Sequence, residues 1–220
     1  MSTSPPRRAP FSTARVEAYT DGVFAIAATL LVLDLTTRAI GEVGSDAEMW
    51  AALGGMWENF MAFVISFGLL SMLWVIHLQQ FRGIERVDGG LLWLNNIRLL
   101  WIVLIPFTTS LVSEYSQYFA GRMLLPINFF FAALFGYLSW VWAASRGGHL
   151  LTEEAKGDIA EQSIGGLVAT ICGAVAALVS PLVGSWGFLA YVFNGPVTAV
   201  LVRRRARRVS AGADSPAASA

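Results

Sequence analysis

Cysteine is almost absent from this chain of 220 residues: Cys172 stands alone. That excludes an intrachain disulfide and any metal site built from several thiolates. Cys172 sits among Ala, Val and Gly and reads as a small core residue. Histidine is scarce as well, with His77 and His149 far apart. No Ser–His–Asp order, metal-ligand spacing or phosphate-cradling glycine loop accompanies them. The chain therefore offers no catalytic residues, no metal site and no cofactor site, and an enzyme is not expected. Charge is the third shortage. Charged residues make up 14 %, against roughly 25 % in ordinary soluble domains. With 55 % hydrophobic residues and a mean hydropathy of +0.59, a soluble domain of this size could not hide its apolar surface. An integral membrane protein is expected.

Six apolar segments fill most of the chain, at 18–36, 54–78, 92–113, 124–144, 162–182 and 184–202. Each is near the ~20 residues that a spanning helix needs, and in lipid a helix satisfies its own backbone. The expected fold is an all-α integral membrane protein with six transmembrane helices, occupying 15–202. Only "PLVGSWG" separates the last two segments, so their division is the weakest signal. The Pro- and Ser-rich, basic stretch 1–14 suits a flexible cytoplasmic lead; Glu17 and Asp21 argue against a cleaved signal peptide. The stretch 203–220 reads as a basic, disordered cytoplasmic tail. Gly165, Ala169, Gly173 and Ala177 recur every four residues, a face for close helix packing. Asn128 and Asn194 are expected to bridge helices by hydrogen bonds.

The basic residues orient the spans. Arg7, Arg8, Arg15, Arg82, Arg86, Arg146, Lys156, Arg203, Arg204, Arg205, Arg207 and Arg208 fall on one side, while the opposite loops hold Arg38 and Arg122. Positive loops stay inside, so both termini are expected in the cytoplasm of a multi-pass protein of the cell membrane. Directly after a span, "RRRARR" at 203–208 is a topology lock and a contact for anionic lipid rather than for nucleic acid.

Polar groups inside spans mark function or a buried network. Here they are Asp21, Thr29 and Asp34 in the first span, His77 in the second, and Asn95, Asn96 and Arg98 in the third. The twelve residues between Asp21 and Asp34 are apolar apart from Thr29. At about 1.5 Å per residue the carboxylates stand about 20 Å apart, against a hydrocarbon core of about 30 Å. On a helical wheel with Asp21 at zero, Leu33 falls at about 120°, Ile26 at about 140° and Leu30 at about 180°. Tyr19 at about 160° and Gly22 at about 100° extend this stripe, and Thr29 lies on its shoulder at about 80°. An ordinary packing or lipid-facing stripe is the simpler reading. The sharper one is a pore face, an apolar constriction with Asp34 facing water at one mouth. Asp21 points away from the stripe, towards the bundle, where Arg98 or His77 would be its partner. A proton relay through His77 or a gate latch are the alternatives to that structural pairing.

"RVEAYTDGVFAIAATLLVLDL", residues 15–35, resembles the first helix of the transmembrane-protein-175 family of potassium channels. That family's hallmark is Arg, three residues, then Phe-Ser-Asp; Arg15 and Asp21 match it, and Tyr19 and Thr20 replace Phe and Ser conservatively. Residues 74–107, "WVIHLQQFRGIERVDGGLLWLNNIRLLWIVLIPF", are similar to the family's second and third helices. The resemblance implies a homotetramer whose first helices line a central pore. It places the constriction at Ile26, further apolar layers at Leu30 and Leu33, and a selectivity-assisting hydroxyl at Thr29. Asp34 then enriches cations at the outer mouth. Arg15, Tyr19, Thr20, Asp21, His77, Asn95 and Arg98 form the network that fixes the pore helix or gates it. The expected function is a passive potassium-conducting cation channel. One rival is a proton pathway or proton-coupled secondary transporter using Asp21 and His77. Pro106, Pro181 and Pro196 suit the interrupted helices of transporters, although no convincing internal repeat is present. A non-transporting membrane scaffold is the other.

Overall fold

The computed structural model of the chain describes residues 11–35 and 40–213, apart from the side chains of Asp34, Ser185 and 208–213. Arg7, Arg8, Arg38, the side chain of Arg208 and the stretch 214–220 lie outside the described residues. The elements run α1 (Thr13–Leu30), a 3-10 turn (Leu31–Asp34), α2 (Asp46–Gly55), α3 (Trp57–Arg82) and α4 (Gly89–Tyr115). They continue with α5 (Phe119–Gly148), α6 (Glu153–Gly157), α7 (Ile159–Val183), a 3-10 segment (Gly184–Phe193) and α8 (Asn194–Ala213). Five stretches are long and apolar enough to cross a membrane: Thr13–Leu33, Trp57–Arg82, Gly89–Tyr115, Phe119–Gly148 and Ile159–Val183. Most of them reach beyond the apolar segments at one or both ends, where polar flanking residues continue the helices. Asp88 caps α4, accepting from Leu91 N over 2.8 Å, and Ser45 caps the short α2 by accepting from Glu48 N over 3.3 Å.

One apolar core joins the long helices. Phe24, Ala27 and Leu31 meet Leu70 and Leu73 of α3, Leu99 and Ile102 of α4, Phe129 of α5 and Val168 of α7. Cys172 is buried in this core. Asn128 Nδ2 donates to Thr108 Oγ1 over 3.1 Å, bridging α5 to α4. Among the described residues Asn194 makes no such bridge; it accepts from Thr198 within α8 over 3.5 Å. The small-residue face of α7 does permit close approach: a Cβ on Gly173 would stand 2.7 Å from the Tyr191 hydroxyl and 3.0 Å from Phe130 Cα.

At one end of the bundle the loops interlock. Phe11 pairs with Val87 and Ile84 with Leu151. Thr152 N donates to Gly83 O over 2.9 Å, and Glu85 N to Leu150 O over 2.9 Å. Thr13 Oγ1 donates to Glu85 O over 3.1 Å. Val16 packs with Phe81, Val87, Leu91 and Trp140. Residues 11–14, expected in a flexible lead, are thus tied down by backbone pairing, and α1 starts at a fixed place.

The sixth apolar segment departs from a simple α-helix. Gly184, at φ +65°, ends α7, and a Cβ on Gly187 would collide with Ser180. The chain turns sharply against α7, runs as a 3-10 segment, and becomes α-helical at Asn194. α8 then continues through Arg203, Arg204 and Arg205 to Ala213, so the tail expected to be disordered is helical through 213. Arg and Ala are strong helix formers, and the run simply prolongs the helix it follows.

Candidate pore helix and the network behind it

α1 has two unlike faces. Val16, Thr20, Phe24 and Ala27 are buried, at about 220° to 300° on the wheel that has Asp21 at zero. The opposite side is left uncovered: Ile26 is 61 % exposed, Leu30 40 % and Leu33 61 %. Gly22 and Thr29 are exposed beside them. The Thr29 hydroxyl donates to Ile26 O over 2.8 Å, which turns its oxygen lone pairs away from the helix axis. The Asp34 side chain, expected at the outer mouth, lies outside the described residues.

Behind α1 lies a buried polar cluster. Asn95 Nδ2 donates to Thr20 Oγ1 over 2.9 Å, joining α4 to α1. Arg98 Nη2 donates to Leu73 O over 2.9 Å, and its Nη1 lies 3.4 Å from His77 Nδ1. The guanidinium sits 5.9 Å from the Phe24 ring centroid, and that ring stacks on His77 at 6.0 Å. Gly136 of α5 makes room for it: a Cβ there would stand 3.0 Å from Arg98 Cζ. Arg98, His77 and Thr20 are all closed to solvent. A buried charge needs compensation; a carbonyl, an imidazole and an aromatic face supply part of it, while Arg98 Nε has no partner among the described residues.

Two expectations are corrected. Asp21 pairs with neither Arg98 nor His77; among the described residues its carboxylate accepts from Trp74 Nε1 over 2.9 Å. The cause is rotational: Asp21 lies at the edge of the buried face, half-covered, where an indole on α3 reaches it. Arg15 and Tyr19 stand outside the cluster because both side chains are exposed. The cluster therefore comprises Thr20, His77, Asn95 and Arg98. Sequence reasoning missed Phe24, Trp74 and Gly136. Trp74, three residues before His77, was on the right helical face to be found. Among the described residues no three His, Cys, Asp or Glu side chains gather as metal ligands.

α4, which carries Asn95 and Arg98, is anchored at its start by Asp88. Besides capping the helix, this carboxylate accepts from Trp142 Nε1 over 3.0 Å and lies 3.7 Å from His149 Nε2. Partial burial raises the Asp88 pKa, but the Leu91 amide, the Trp142 indole and His149 outweigh it and hold the carboxyl below its ordinary value.

Residues 15–106 match the profile of the family described as "Endosomal/lysosomal potassium channel TMEM175". A potassium channel of Streptomyces collinus is 38 % identical over 142 residues, 62 % of this chain and 66 % of the relative. The bovine endosomal/lysosomal proton channel TMEM175 is 29 % identical over 156 residues, 67 % of this chain and 33 % of that protein. The chain spans about half to two thirds of the length of the curated bacterial relatives it matches. In fold it is similar to the crystal structure of a lysosomal potassium-selective channel TMEM175 homolog from Chamaesiphon minutus. The TM-score is 0.68 at 24 % identity, covering 87 % of this chain and 97 % of the other. With its opening motif and helix order in agreement, the segment 15–106, which holds α1, α3 and most of α4, matches the TMEM175 family, and the chain shares the fold of that family's bacterial homolog.

Proposed function

We propose that this chain is one subunit of a passive, potassium-conducting cation channel of the cell membrane, with four copies of α1 around the pore. The observation that carries this is the uncovered stripe of Ile26, Leu30 and Leu33 on a helix whose other face is locked by Thr20, Phe24 and Ala27. Other helices also present apolar side chains outward, such as Leu178 and Leu182 of α7. On α1 the stripe runs beside an exposed hydroxyl, Thr29, and the sequence places Asp21 and Asp34 on either side of it. Six spans of one chain cannot enclose a pore with this one helix, so copies must assemble. The names of the bacterial relatives support potassium as the permeant ion.

In this reading Ile26 forms the narrowest ring, which excludes ions by dewetting when closed, and Leu30 and Leu33 add apolar layers. Thr29 offers oxygens to a dehydrated cation, and Asp34 concentrates cations at the outer mouth. The cluster of Thr20, His77, Asn95 and Arg98 fixes the pore helix, with Asp21 bracing it on Trp74 and Arg15 and Tyr19 at its cytoplasmic end. The sixth span is the 3-10 segment with α8. Ten residues at about 2.0 Å and the following nine at about 1.5 Å reach about 33 Å, enough for a core of about 30 Å. The surplus of Arg and Lys on one side supports cytoplasmic termini, with the helical Arg203–Arg207 stretch against anionic lipid.

Potassium flux into liposomes carrying wild-type or Ile26→Asn protein tests the proposal, with sodium and protons as comparisons. Wild-type protein is expected to pass potassium passively, and the variant to pass several-fold more or to lose selectivity. No flux above empty liposomes from folded wild-type protein would overturn the channel. Flux unchanged by the substitution would move the constriction elsewhere. A second reading, a proton pathway through Asp21 and His77, draws on the bovine relative's name and on His77 Nε2, which has no partner among the described residues. Proton flux that His77→Gln abolishes while potassium flux persists would favour it.

A further inference from the structure

Two cavities lie along α3. The larger, beside the chain that follows α7, is apolar and about 970 Å³, with Met61, Ile65, Leu69 and Met72 on the α3 wall. At the other end of α3 lies a crevice of about 450 Å³ between α3, α7 and α8. Ile76, Ala199 and Val202 wall this crevice beside three glycines, and its polar lining includes Gln80, Glu161, Gln162 and Arg203.

Three facts set the crevice apart from an ordinary gap. Gln80 is only 3 % exposed, yet its carboxamide makes no hydrogen bond with a described residue. Glu161 and Arg203 share the crevice, and neither forms an ion pair with a described residue. Finally, these residues stand at the ends of apolar runs, the level at which a spanning helix of this length leaves the hydrocarbon. Gln80 lies in the last turn of α3, Glu161 and Gln162 in the first turn of α7, and Arg203 directly after the apolar run of α8.

We propose that this crevice binds the headgroup of a phospholipid of the phosphatidylethanolamine type. The guanidinium of Arg203 and the amide N–H groups of Gln80 and Gln162 donate to the phosphate. Glu161 accepts from the ammonium. One acyl chain follows Ile76, Met72, Leu69 and Ile65, which recur at four- and three-residue spacing along one side of α3. A carboxylate beside a guanidinium matches a zwitterion. A purely anionic headgroup would meet Glu161 as a like charge, and a choline headgroup has no N–H for it to accept. The site differs from the anionic-lipid contact proposed for the basic segment, because Glu161 lines the crevice together with Arg203. It is independent of where the pore lies.

The test is native mass spectrometry on the delipidated full-length protein, with equal amounts of phosphatidylethanolamine, phosphatidylglycerol and phosphatidylcholine of matched chains added. Wild type is expected to retain phosphatidylethanolamine several-fold over both others. Gln80→Leu should weaken that retention about tenfold, the loss of one hydrogen bond to a charged group. Glu161→Gln, at an exposed position, should abolish the preference over phosphatidylglycerol. Arg203→Ala should weaken both. Unchanged melting temperatures establish that the variants are folded. Equal retention of all three lipids by wild type, a preference for phosphatidylglycerol, or no effect of either Gln80→Leu or Glu161→Gln would each overturn the proposal. The readout is lipid mass, so absence of ion flux leaves it standing and its failure leaves the channel standing.

Discussion

Thr20 and Asn95 meet where α1 crosses α4, and both are closed to solvent. Thr20→Val keeps the volume and removes the acceptor of Asn95 Nδ2, whose own Oδ1 already lacks a partner among the described residues. The expected cost is about 1 kcal/mol, the scale of a hydrogen bond between membrane helices plus the amide left unmet. Thermal unfolding of the purified protein should therefore begin at a lower temperature, and the double variant Thr20→Val/Asn95→Leu should recover part of the loss. An unchanged midpoint for Thr20→Val means the pair does not hold α1. At this scale the polar residues were legible as a set, because charge and amide groups stand out against an apolar run. Their partners were not. Both an indole and a guanidinium can serve a carboxylate, and nothing in the pattern tells Asp21 to choose Trp74 over Arg98. The acceptor that Arg98 found, Leu73 O, is a backbone group that no side-chain pattern can display, and the space Gly136 leaves becomes visible only when helices pack.

Among the elements, α4 depends on its cap. Asp88 accepts from the Leu91 amide and the Trp142 indole, so it fastens the start of α4 to α5. Replacing it by Ala should cost about 1 kcal/mol, the usual value of an N-cap; Asn, itself a good cap, should cost less. The sign with pH follows from the depressed pKa. The native state favours the ionised carboxylate, so this stabilisation is complete above the ordinary carboxylate range and is lost as pH falls through the folded-state pKa. Melting of wild type against Asp88→Asn at neutral and acid pH reads this directly. The gap between them should close on acidification, and a constant gap would remove Asp88 as the source. The helices themselves were legible because apolar length dictates a span, and five were read to within a few residues. The last segment was misread in form. A positive-φ Gly184 and the tight contact of Gly187 with Ser180 impose a 3-10 course that hydropathy cannot register.

For the whole molecule, the proposed channel sets the uncovered side of α1 against other copies of the chain, and their number sets the geometry. In a closed ring of four, equivalent Ile26 side chains face one another across the narrowest point. A disulfide needs Cβ atoms about 3.5–4.5 Å apart, so identical positions pair only where copies meet closely, as they would at a constriction. The chain suits this test, since its one thiol, Cys172, is buried and can be replaced by Ala. In that background Ile26→Cys is expected to form reductant-sensitive covalent pairs under mild oxidation in the membrane. Leu178→Cys, on the strongly exposed outer side of α7, is expected to remain monomeric on a denaturing gel. A soft thiophilic cation added to the Ile26→Cys protein should also block potassium flux, because four thiolates around one axis make a better ligand set than a passage. Cross-linking at Leu178 without cross-linking at Ile26 would place α7 at the contact between copies and α1 in lipid, and the pore would have to be sought on another face.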